Sequence, residues 1–254
     1  MDLPVNAFKR ALATQRQQIG LWVTLAHANS TELVAASGFD WLLLDTEHTP
    51  ANVPTVMAQL QASAPYGSHA VVRPSWNDQI QIKQYLDIGA QTLLLPYVQN
   101  AQEATQAVAS MRYAPNGVRG VSGTMRATRY GRVSDYMRRC EEELCLLVQV
   151  ETGVALEQLD AIARVDGVDG VFIGPADLAA SLGYPGAPGH PKVVAEVERA
   201  IARVRALGKA PGVLTTDETL ARRYIAAGSL FTAIGVDAAI LVQHCDQLAN
   251  RFKS

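Results

Sequence analysis

The feature that most constrains the fold is an alternation of short apolar runs with helical patterns, which recurs eight times. Each run is nearly continuous in its apolar residues, as parallel strands covered by helices are. The runs are IGLWVTL (19–25), DWLLLD (40–45), HAVVR (69–73), QTLLLP (91–96), CLLVQVE (145–151), VDGVFIG (168–174), APGVL (210–214) and LFTAIG (230–235). Eight strand–helix units in 254 residues predict an α/β fold, a single (β/α)8 TIM barrel over residues 1–254. A doubly wound open sheet would want a glycine-rich phosphate loop after the first strand, and AHANS stands there instead.

Start and stop signals place the helices between these strands. Ser30 is predicted to begin the helix TELVAAS, which Gly38 ends. Asn77 is predicted to begin DQIQIKQYLDI, which stops at Gly89, and DETLARRYIAA is predicted to stop at Gly228. Two further helical patterns are TGVALEQLDAIARV, after the fifth strand, and KVVAEVERAIARVRAL, before the seventh.

Two segments interrupt the alternation. Residues 112–143 are a long insertion after the fourth helix, and residues 181–191 (SLGYPGAPGHP) are a Gly/Pro loop after the sixth strand. Connections of this length in a compact domain are usually functional or disordered. The arginines that thicken the insertion are Arg119, Arg126, Arg129, Arg132, Arg138 and Arg139.

Composition narrows the class of protein. The formal net charge is −2 and no run of Lys and Arg forms a basic patch, which argues against a nucleic-acid partner. Three cysteines without a CxxC pair favour a reducing compartment, with the thiols as small apolar fillers. No apolar run approaches the roughly 18 residues of a membrane span, and the N-terminus lacks a signal-peptide core. We therefore expect a cytoplasmic protein with no membrane partner.

Reactive side chains collect where the predicted strands end. In a barrel, chemistry belongs at the carboxyl ends of the strands. The polar residues at these ends are Asp45, Glu47 and His48 after the second strand, Arg73 at the third, Gln149 and Glu151 at the fifth, and Asp177 after the sixth. Because they are far apart in the sequence and converge only in a barrel, they predict an active site at this rim.

Each of these residues also has a structural interpretation. A strand-end aspartate such as Asp177 can simply cap the next helix, and Arg73 can form a structural ion pair. A lone histidine is more often structural than catalytic. We assign His27, His69, His190 and His244 to that group, His27 with the least support because it follows the first strand.

Glu151 and Asp177 are the candidate metal ligands. Carboxylate oxygens from two strands suit a hard divalent cation such as Mg²⁺ or Mn²⁺, with the remaining coordination positions left to water and substrate. No HxxxH motif and no cysteine cluster supports zinc.

With these residues assembled, the sequence resembles the HpcH/HpaI aldolase family of the phosphoenolpyruvate/pyruvate barrel superfamily. The resemblance runs from IGLW to LANRF. The most specific stretches are GFDWLLLDTEH, VVRPSWND, QIKQYLDIGAQTLLLP, RYAPNGVRGV, LVQVET, GVDGVFIGPADLA and GKAPGVL.

The resemblance implies a reaction and a role for each site residue. The reaction is the reversible, divalent-metal-dependent (Mg²⁺, Mn²⁺ or Co²⁺) cleavage of a 4-hydroxy-2-oxo acid, such as 4-hydroxy-2-oxoheptanedioate, to pyruvate and an aldehyde. His48 resembles the general base and Arg73 the residue that stabilises the enolate. Asp87 resembles the carboxylate that raises the basicity of the histidine, with Asp45 as a second candidate.

The resemblance also implies the binding residues and the assembly. Glu151 and Asp177 resemble the metal ligands. The residues expected to line the substrate site are Gln149, Pro175, Ala176, Asp177, Leu214 and Arg73. The donor side is small and polar, so a close analogue of pyruvate such as hydroxypyruvate is also expected to bind. The expected assembly is a homo-hexamer, a trimer of dimers that exchange their C-terminal helices.

The sequence departs from the family at the turn after the second strand. Thr46 stands where relatives commonly have glycine, and Thr49 where alanine is common. A β-branched residue adopts φ > 0 only at a cost, so either this turn needs no such angle or its geometry differs.

Rival functions remain open at this point. Schiff-base catalysis would require a lysine at the rim, and none of the five lysines ends a predicted strand; they are Lys9, Lys83, Lys192, Lys209 and Lys253. Related barrel chemistry, decarboxylation of a 2-oxo diacid or cleavage of a CoA ester, is the alternative enzymatic function. The arginines of 112–143 could supply a nucleotide groove for the CoA ester, although anchoring a substrate carboxylate or forming a subunit contact is the favoured role. A binding module that holds metal and oxo acid without turnover has no need of both His48 and Arg73.

Overall fold

The computed structural model describes residues 1–253, which form a closed barrel of eight parallel strands in the order β1 to β8. The strands are β1 (Gln18–Val23), β2 (Trp41–Asp45), β3 (His69–Arg73), β4 (Thr92–Leu95), β5 (Cys145–Val150), β6 (Gly170–Ile173), β7 (Ala210–Leu214) and β8 (Phe231–Val236). Each lies within one or two residues of a predicted apolar run. The predicted (β/α)8 barrel is therefore confirmed.

Helices surround the barrel. They are α1 (Ala7–Ala13), α2 (Ala28–Ala35), α3 (Val53–Ser63), α4 (Gln79–Asp87), α5 (Ala101–Met111), α6 (Tyr136–Arg139), α7 (Gly153–Glu157), α8 (Leu159–Ala163), α9 (Pro175–Ser181), α10 (Pro191–Ala206), α11 (Glu218–Ala226) and α12 (Asp237–Lys253). No helix among residues 1–253 is both long enough and apolar enough to cross a membrane.

The predicted helix ends are confirmed, and two predicted starts are wrong by one to three residues. Gly38, Gly89 and Gly228 all adopt positive φ just after their helices, as C-terminal glycines do. The helix assigned to Ser30 begins at Ala28, because the side chain of His27 caps it by accepting the N–H of Asn29.

The second displaced start is that of α4, and one predicted helix is divided in two. Asp78, one residue after Asn77, caps α4 by accepting the N–H groups of Ile80 and Gln81. The pattern TGVALEQLDAIARV forms two short helices, α7 and α8, that meet at Gln158.

The barrel interior is filled by aromatic rings. Trp22, Trp41, Phe172 and Phe231 are buried inside the strands and pack with their ring centroids 5.4–6.4 Å apart. Phe8 of α1 closes the amino end of the barrel by packing on Trp41 and Phe231. The opposite end, at the carboxyl ends of the strands, is left for polar side chains.

The insertion 112–143 packs against the amino end of the barrel, where α4 finishes. Arg119 has a fully buried side chain that donates to Asp87 Oδ1 at 2.8 Å and lies 4.7 Å above the ring of Tyr113. Arg126 donates to the carbonyl of Ile88 at 2.7 Å. At least these two arginines serve local structure.

Helix α12 extends away from the barrel. Asp237 fixes its first turn, since its Oδ1 accepts the N–H and the hydroxyl of Thr24 at 2.7 and 2.8 Å. Every residue from 239 to 253 is exposed. Cys140 and Cys145 are buried fillers as predicted, whereas Cys245, on this helix, is exposed, so that part of the cysteine prediction is wrong.

Candidate active site at the carboxyl rim

Asp45 and Arg73 form the buried centre of the rim. The two residues are register partners at the ends of β2 and β3. Arg73 Nε and Nη2 donate to the two carboxylate oxygens of Asp45 at 2.9 and 2.8 Å, and the guanidinium lies 4.9 Å above the Trp22 ring. The side chain of Arg73 is 7% exposed and that of Asp45 is 1% exposed, so both are almost fully buried. This bidentate pair holds the guanidinium in one orientation.

Glu47 brings a second carboxylate to the same guanidinium. Its Oε2 lies 2.9 Å from Arg73 Nη1 without the alignment of a hydrogen bond. Burial raises the pKa of Glu47 to about 6; Arg73 opposes this shift, and the charges of Asp45 and Asp177 add to it. Glu47 therefore lies between the arginine and the candidate metal ligands.

Glu151 follows directly after β5 and is held by neighbouring amides. Its Oε1 accepts the backbone N–H of Tyr97 at 2.8 Å, and its Oε2 accepts a short hydrogen bond from Gln149 Nε2. Tyr97 supplies that N–H from a left-handed backbone with φ of 56°, a conformation that is uncommon for a non-glycine residue and marks functional sites. Burial is the main reason that the pKa of Glu151 rises to about 7.

Asp177 joins this group from the first turn of α9. The charges of Asp177 and Glu47 both raise the pKa of Glu151, so a negative charge on either one disfavours a charge on Glu151. Gly174, three residues before Asp177, lets Glu151 lie against the start of α9, since a Cβ there would lie only 2.6 Å from Glu151 Oε2. Glu151 and Asp177 therefore lie on adjoining parts of the rim, and their role as metal ligands stays a prediction.

The residues present fit a hard divalent cation. Repulsion between the buried carboxylate of Glu151 and its negative neighbours is relieved when a cation binds between them, and oxygen donors suit Mg²⁺ or Mn²⁺. The buried Oε1 of Gln149 has no hydrogen-bond partner among residues 1–253, and the amide nitrogen of the same side chain lies beside Gly174. Among residues 1–253, no three side chains of the types His, Cys, Asp and Glu lie together in a geometry that encloses an ion. Two carboxylates would therefore share the cation with water and substrate.

His48 stands at the edge of the rim, exposed to solvent. Its imidazole is 66% exposed, and its Nε2 lies 3.8 Å from Glu47 Oε2. Asp45, the second candidate partner of His48, is instead engaged with Arg73.

Asp87 is not placed beside His48 in this chain. It is the last residue of α4 and lies at the amino end of the barrel, bound to Arg119. A contact between Asp87 and His48 could form only between two copies of the chain, so this pairing stays a prediction.

Two threonines fix the turn that carries Glu47 and His48. Thr46 is not in a positive-φ conformation, and its hydroxyl donates to the carbonyl of Arg73 at 2.7 Å while accepting the Tyr85 hydroxyl at 3.1 Å. Thr49 donates to the carbonyl of Asp45 at 2.6 Å. Of the two alternatives for this turn, the first holds: it needs no positive φ.

Of the other residues singled out from the sequence, some lie at the rim and others support the fold. Pro175, Ala176 and Leu214 lie together along one cavity at the rim. The histidines His27 and His190 cap helices α2 and α10. His69 bonds Thr92 at 2.8 Å inside the barrel, and burial lowers its pKa to about 4. These three histidines are structural, as predicted.

Lysine chemistry has no support at this rim. Lys9 donates to the carbonyls of Glu141 and Leu144, and Lys209 donates to the carbonyl of Val168, all at the amino end of the barrel.

Sequence reasoning gave no role to Glu47, Tyr97 or Trp22, although Glu47 belongs to the titratable cluster that ends β2. The stacked pair Tyr97 and Trp76, with ring centroids 5.7 Å apart, had no signal in the sequence.

A closed (β/α)8 barrel with converging carboxylates, a clamped guanidinium and an imidazole at the carboxyl rim defines the class: a barrel enzyme. Comparison with known proteins identifies the family. The model of the HpcH/HpaI aldolase/citrate lyase family matches residues 18–244. The chain belongs to this family and is a carbon–carbon lyase of the aldolase type.

Individual relatives agree with this assignment. The chain is 60% identical over 252 residues to a pyruvate aldolase of Rhizobium etli, covering 99% of both chains. It is 57% identical over 248 residues to a 4-hydroxy-2-oxo-heptane-1,7-dioate aldolase of Salmonella paratyphi B, covering 97% of this chain and 94% of the relative. The crystal structure of an HpcH/HpaI aldolase/citrate lyase family protein from Burkholderia cenocepacia J2315 superposes with a TM-score of 0.94 at 34% identity, covering 98% of this chain and 100% of the other.

Proposed function

We propose that this chain is a class II, metal-dependent pyruvate aldolase. It cleaves 4-hydroxy-2-oxo acids reversibly to pyruvate, or to a close analogue such as hydroxypyruvate, and an aldehyde. The observation that carries the proposal is that Gly174 lets Glu151 lie against the start of α9, which bears Asp177, on a rim where Asp45 already fixes Arg73. The names of the relatives in Rhizobium etli and Salmonella paratyphi B point to the same substrate class.

Glu151 and Asp177 would hold the cation. When bound, a divalent cation supplies Lewis-acid polarisation of the keto oxygen of the 2-oxo acid. Gln149 positions Glu151 through the short hydrogen bond, and Tyr97 fixes the other carboxylate oxygen. The carboxylate that faces the substrate is thereby held in one orientation before substrate arrives.

Arg73 stabilises the negative charge that develops on the substrate oxygen. Its guanidinium is a permanent cation, and Asp45 and the Trp22 ring fix its plane. A donor held in place before the reaction costs no reorganisation when charge develops, which is why such groups contribute strongly to catalysis. The carboxylate of Glu47 partly offsets the positive charge of the guanidinium, since its Oε2 lies 2.9 Å from Arg73 Nη1.

His48 is the proton-transfer group. It is exposed at the rim, so its imidazole can exchange protons with solvent, and histidine is the side chain most often used for acid–base catalysis. In cleavage His48 takes the proton of the C4 hydroxyl, C4 becomes the aldehyde carbon as the C3–C4 bond breaks, and the electron pair of that bond forms the enolate. The protonated His48 then returns the proton to C3, which completes pyruvate and restores the base.

Removal of the metal tests the class of mechanism. We expect a chelator to abolish aldol cleavage, and Mg²⁺, Mn²⁺ or Co²⁺ to restore it. Borohydride added with pyruvate should leave the enzyme active, because none of the five lysines lies in a barrel strand or directly after one, where an imine with the bound 2-oxo acid would form. Activity assays and mass spectrometry of the treated protein measure both effects. Pyruvate trapped covalently on a lysine would overturn the proposal.

We also propose that the assembly is a hexamer, a trimer of dimers in which α12 is exchanged between copies. The helix leaves apolar side chains without cover, among them Ile240, Leu241, Val242, Leu248 and Phe252 at 43–83% exposure. Leu25, just after β1, and Ile234, in β8, are also exposed. The helix that follows β8 would cover them if it packed on its own barrel. If α12 of one copy packs on Leu25 and Ile234 of another copy, both apolar surfaces are removed from water.

Light scattering tests this assembly. The full chain is expected to give the mass of six copies, and removal of residues 240–253 should give smaller species of lower stability. A full chain that is monomeric at micromolar concentration would contradict the exchange.

A further inference from the structure

A cavity of about 360 Å³ opens beside the rim. It lies between the turn that joins β7 to α11 and the Gly/Pro loop that precedes α10. Its walls are mainly carbon, and the principal lining residues are Pro175, Ala176, Pro188, Leu214, Leu220 and Tyr224. This volume lies in the usual range of small-molecule pockets, about 300–1,000 Å³.

The cavity is continuous with the candidate active site. Pro175 and Ala176 form one wall and directly precede Asp177 in the first turn of α9. Leu214 ends β7, whose Val213 is the register partner of Ile173 on β6, next to Gly174 and hence to Glu151. A substrate held at Glu151 and Asp177 can therefore extend part of its chain into this space.

The chemistry of the walls selects for an uncharged group. Among the described residues that line the cavity there is no lysine, arginine or histidine, and the one charged member is Asp217. Asp217 already accepts the N–H of Leu220 at 2.9 Å as the cap of α11. A carboxylate placed here would meet apolar carbon and a like charge, which is unfavourable.

We propose that this cavity is an acceptor subsite for an uncharged aldehyde with an apolar chain of several carbons or an aromatic ring. The inference rests on the proposed aldolase function. In the synthetic direction C3 of the pyruvate enolate bonds to the aldehyde carbon, and the aldehyde oxygen takes a proton to become the C4 hydroxyl. The chain beyond the new C4 carbon lies along Leu214 and Leu220 and extends toward Tyr224.

A chain-length series tests the subsite in the metal-loaded enzyme. With pyruvate as donor, kcat/KM for hexanal should exceed that for propanal by about tenfold or more, because each methylene buried in an apolar pocket adds discrimination. Leu220→Trp fills the cavity and should remove this advantage. It should also lower, by about tenfold, the ratio of kcat/KM for hexanal to that for 4-oxobutanoate, an aldehyde that ends in a carboxylate.

Matched controls separate the subsite from general damage. Arg222→Trp puts the same indole on an exposed position of α11 and should keep both ratios. Leu220→Phe provides a smaller filling group if Leu220→Trp fails to fold, and circular dichroism checks each variant. Unchanged ratios in the folded filling variant would overturn the inference.

The donor half of the reaction distinguishes this inference from the proposed function. Exchange of the pyruvate methyl hydrogens with deuterated solvent needs no aldehyde. Wild-type protein that exchanges these hydrogens yet shows no preference for hexanal over propanal refutes the subsite alone. Wild-type protein that shows no exchange refutes the aldolase proposal as well.

Discussion

Glu151→Gln is expected to lower the affinity for Mg²⁺ and Mn²⁺ by more than about 100-fold, since even residues behind a metal ligand contribute about 10–100-fold. The fold should survive, because the glutamine oxygen can still accept the Tyr97 N–H. The unpaired Oε1 of Gln149 can turn to accept the new amide. Isothermal titration of the metal-free protein measures the affinity, and aldol cleavage should be lost in parallel.

The pH dependence of metal binding gives an independent check on the same residue. Burial raises the pKa of Glu151 from 4.5 to about 7, so in the metal-free protein a proton competes for the site. Affinity for the cation should therefore weaken as pH falls through 7, by about tenfold per unit below that value. In Glu151→Gln this pH dependence should be largely lost.

Stability without metal should follow the opposite trend. A carboxyl whose pKa is raised by folding binds its proton more tightly in the folded protein. The metal-free protein therefore loses stability as pH rises from 4.5 to about 7. Added Mg²⁺ should restore stability most at the upper end of this window. Melting temperatures at pH 5 and pH 8, with and without Mg²⁺, measure both effects.

Asp169→Asn is the matched control for these measurements. Asp169 is a half-buried carboxylate whose pKa is also raised, mainly by burial, but it lies at the amino end of the barrel, where it accepts the Leu146 N–H at 2.8 Å. Its replacement should leave metal affinity unchanged. If Glu151→Gln unfolds while the control does not, or binds metal normally, Glu151 is a structural residue and not a ligand.

Much of the fold could be predicted because the strands of a parallel barrel appear in the sequence as short apolar runs. Every strand from β1 to β8 is buried on both faces along most of its length, so its residues cannot alternate with polar ones. Helix starts were less predictable, because several polar residues compete to cap one end. At α2 a histidine side chain caps the helix, a role more often filled by serine or asparagine.

The site could be predicted only as far as topology determines it. Residues that end parallel strands must meet at one rim, which is why Arg73, Glu151 and Asp177 were found. The partners of each group depend on side-chain geometry, which a sequence does not show. The clamp of Arg73 by Asp45 follows from the register of β2 and β3, whereas the bond from the Tyr97 N–H to Glu151 depends on a left-handed backbone conformation that the sequence does not indicate.

His48 and Arg73 are expected to act at different steps, and replacing each separately should reveal this. His48→Ala should lower aldol cleavage by about 10²–10⁴-fold, the usual contribution of a general base. Because the imidazole is 66% exposed, stability should change by no more than about 0.5 kcal/mol. Arg73→Lys keeps a charge beside the buried Asp45 carboxylate but loses the bidentate clamp, and should lower turnover by about 10²–10³-fold.

Two reactions that need no aldehyde separate the roles of these residues. Exchange of the pyruvate methyl hydrogens with deuterated solvent requires removal of a proton from carbon, so it should fall in both variants. Decarboxylation of oxaloacetate reaches the same enolate by loss of CO₂, without proton removal from carbon. It should therefore survive His48→Ala better than aldol cleavage does, and should still fall in Arg73→Lys. Nuclear magnetic resonance follows the exchange, and pyruvate formation follows the decarboxylation.

His27→Ala is the matched control, since His27 also follows a strand at the rim and is exposed but caps α2. It should lose some stability and keep both reactions. Retention of bound metal in all three variants, measured by titration, ensures that the losses belong to proton transfer and charge stabilisation rather than to an empty site. Wild-type exchange in His48→Ala would remove His48 from the role of base. Normal decarboxylation in Arg73→Lys would show that the fork of donors held by Asp45 does not stabilise the enolate, and the arginine would then be a structural partner of that carboxylate alone.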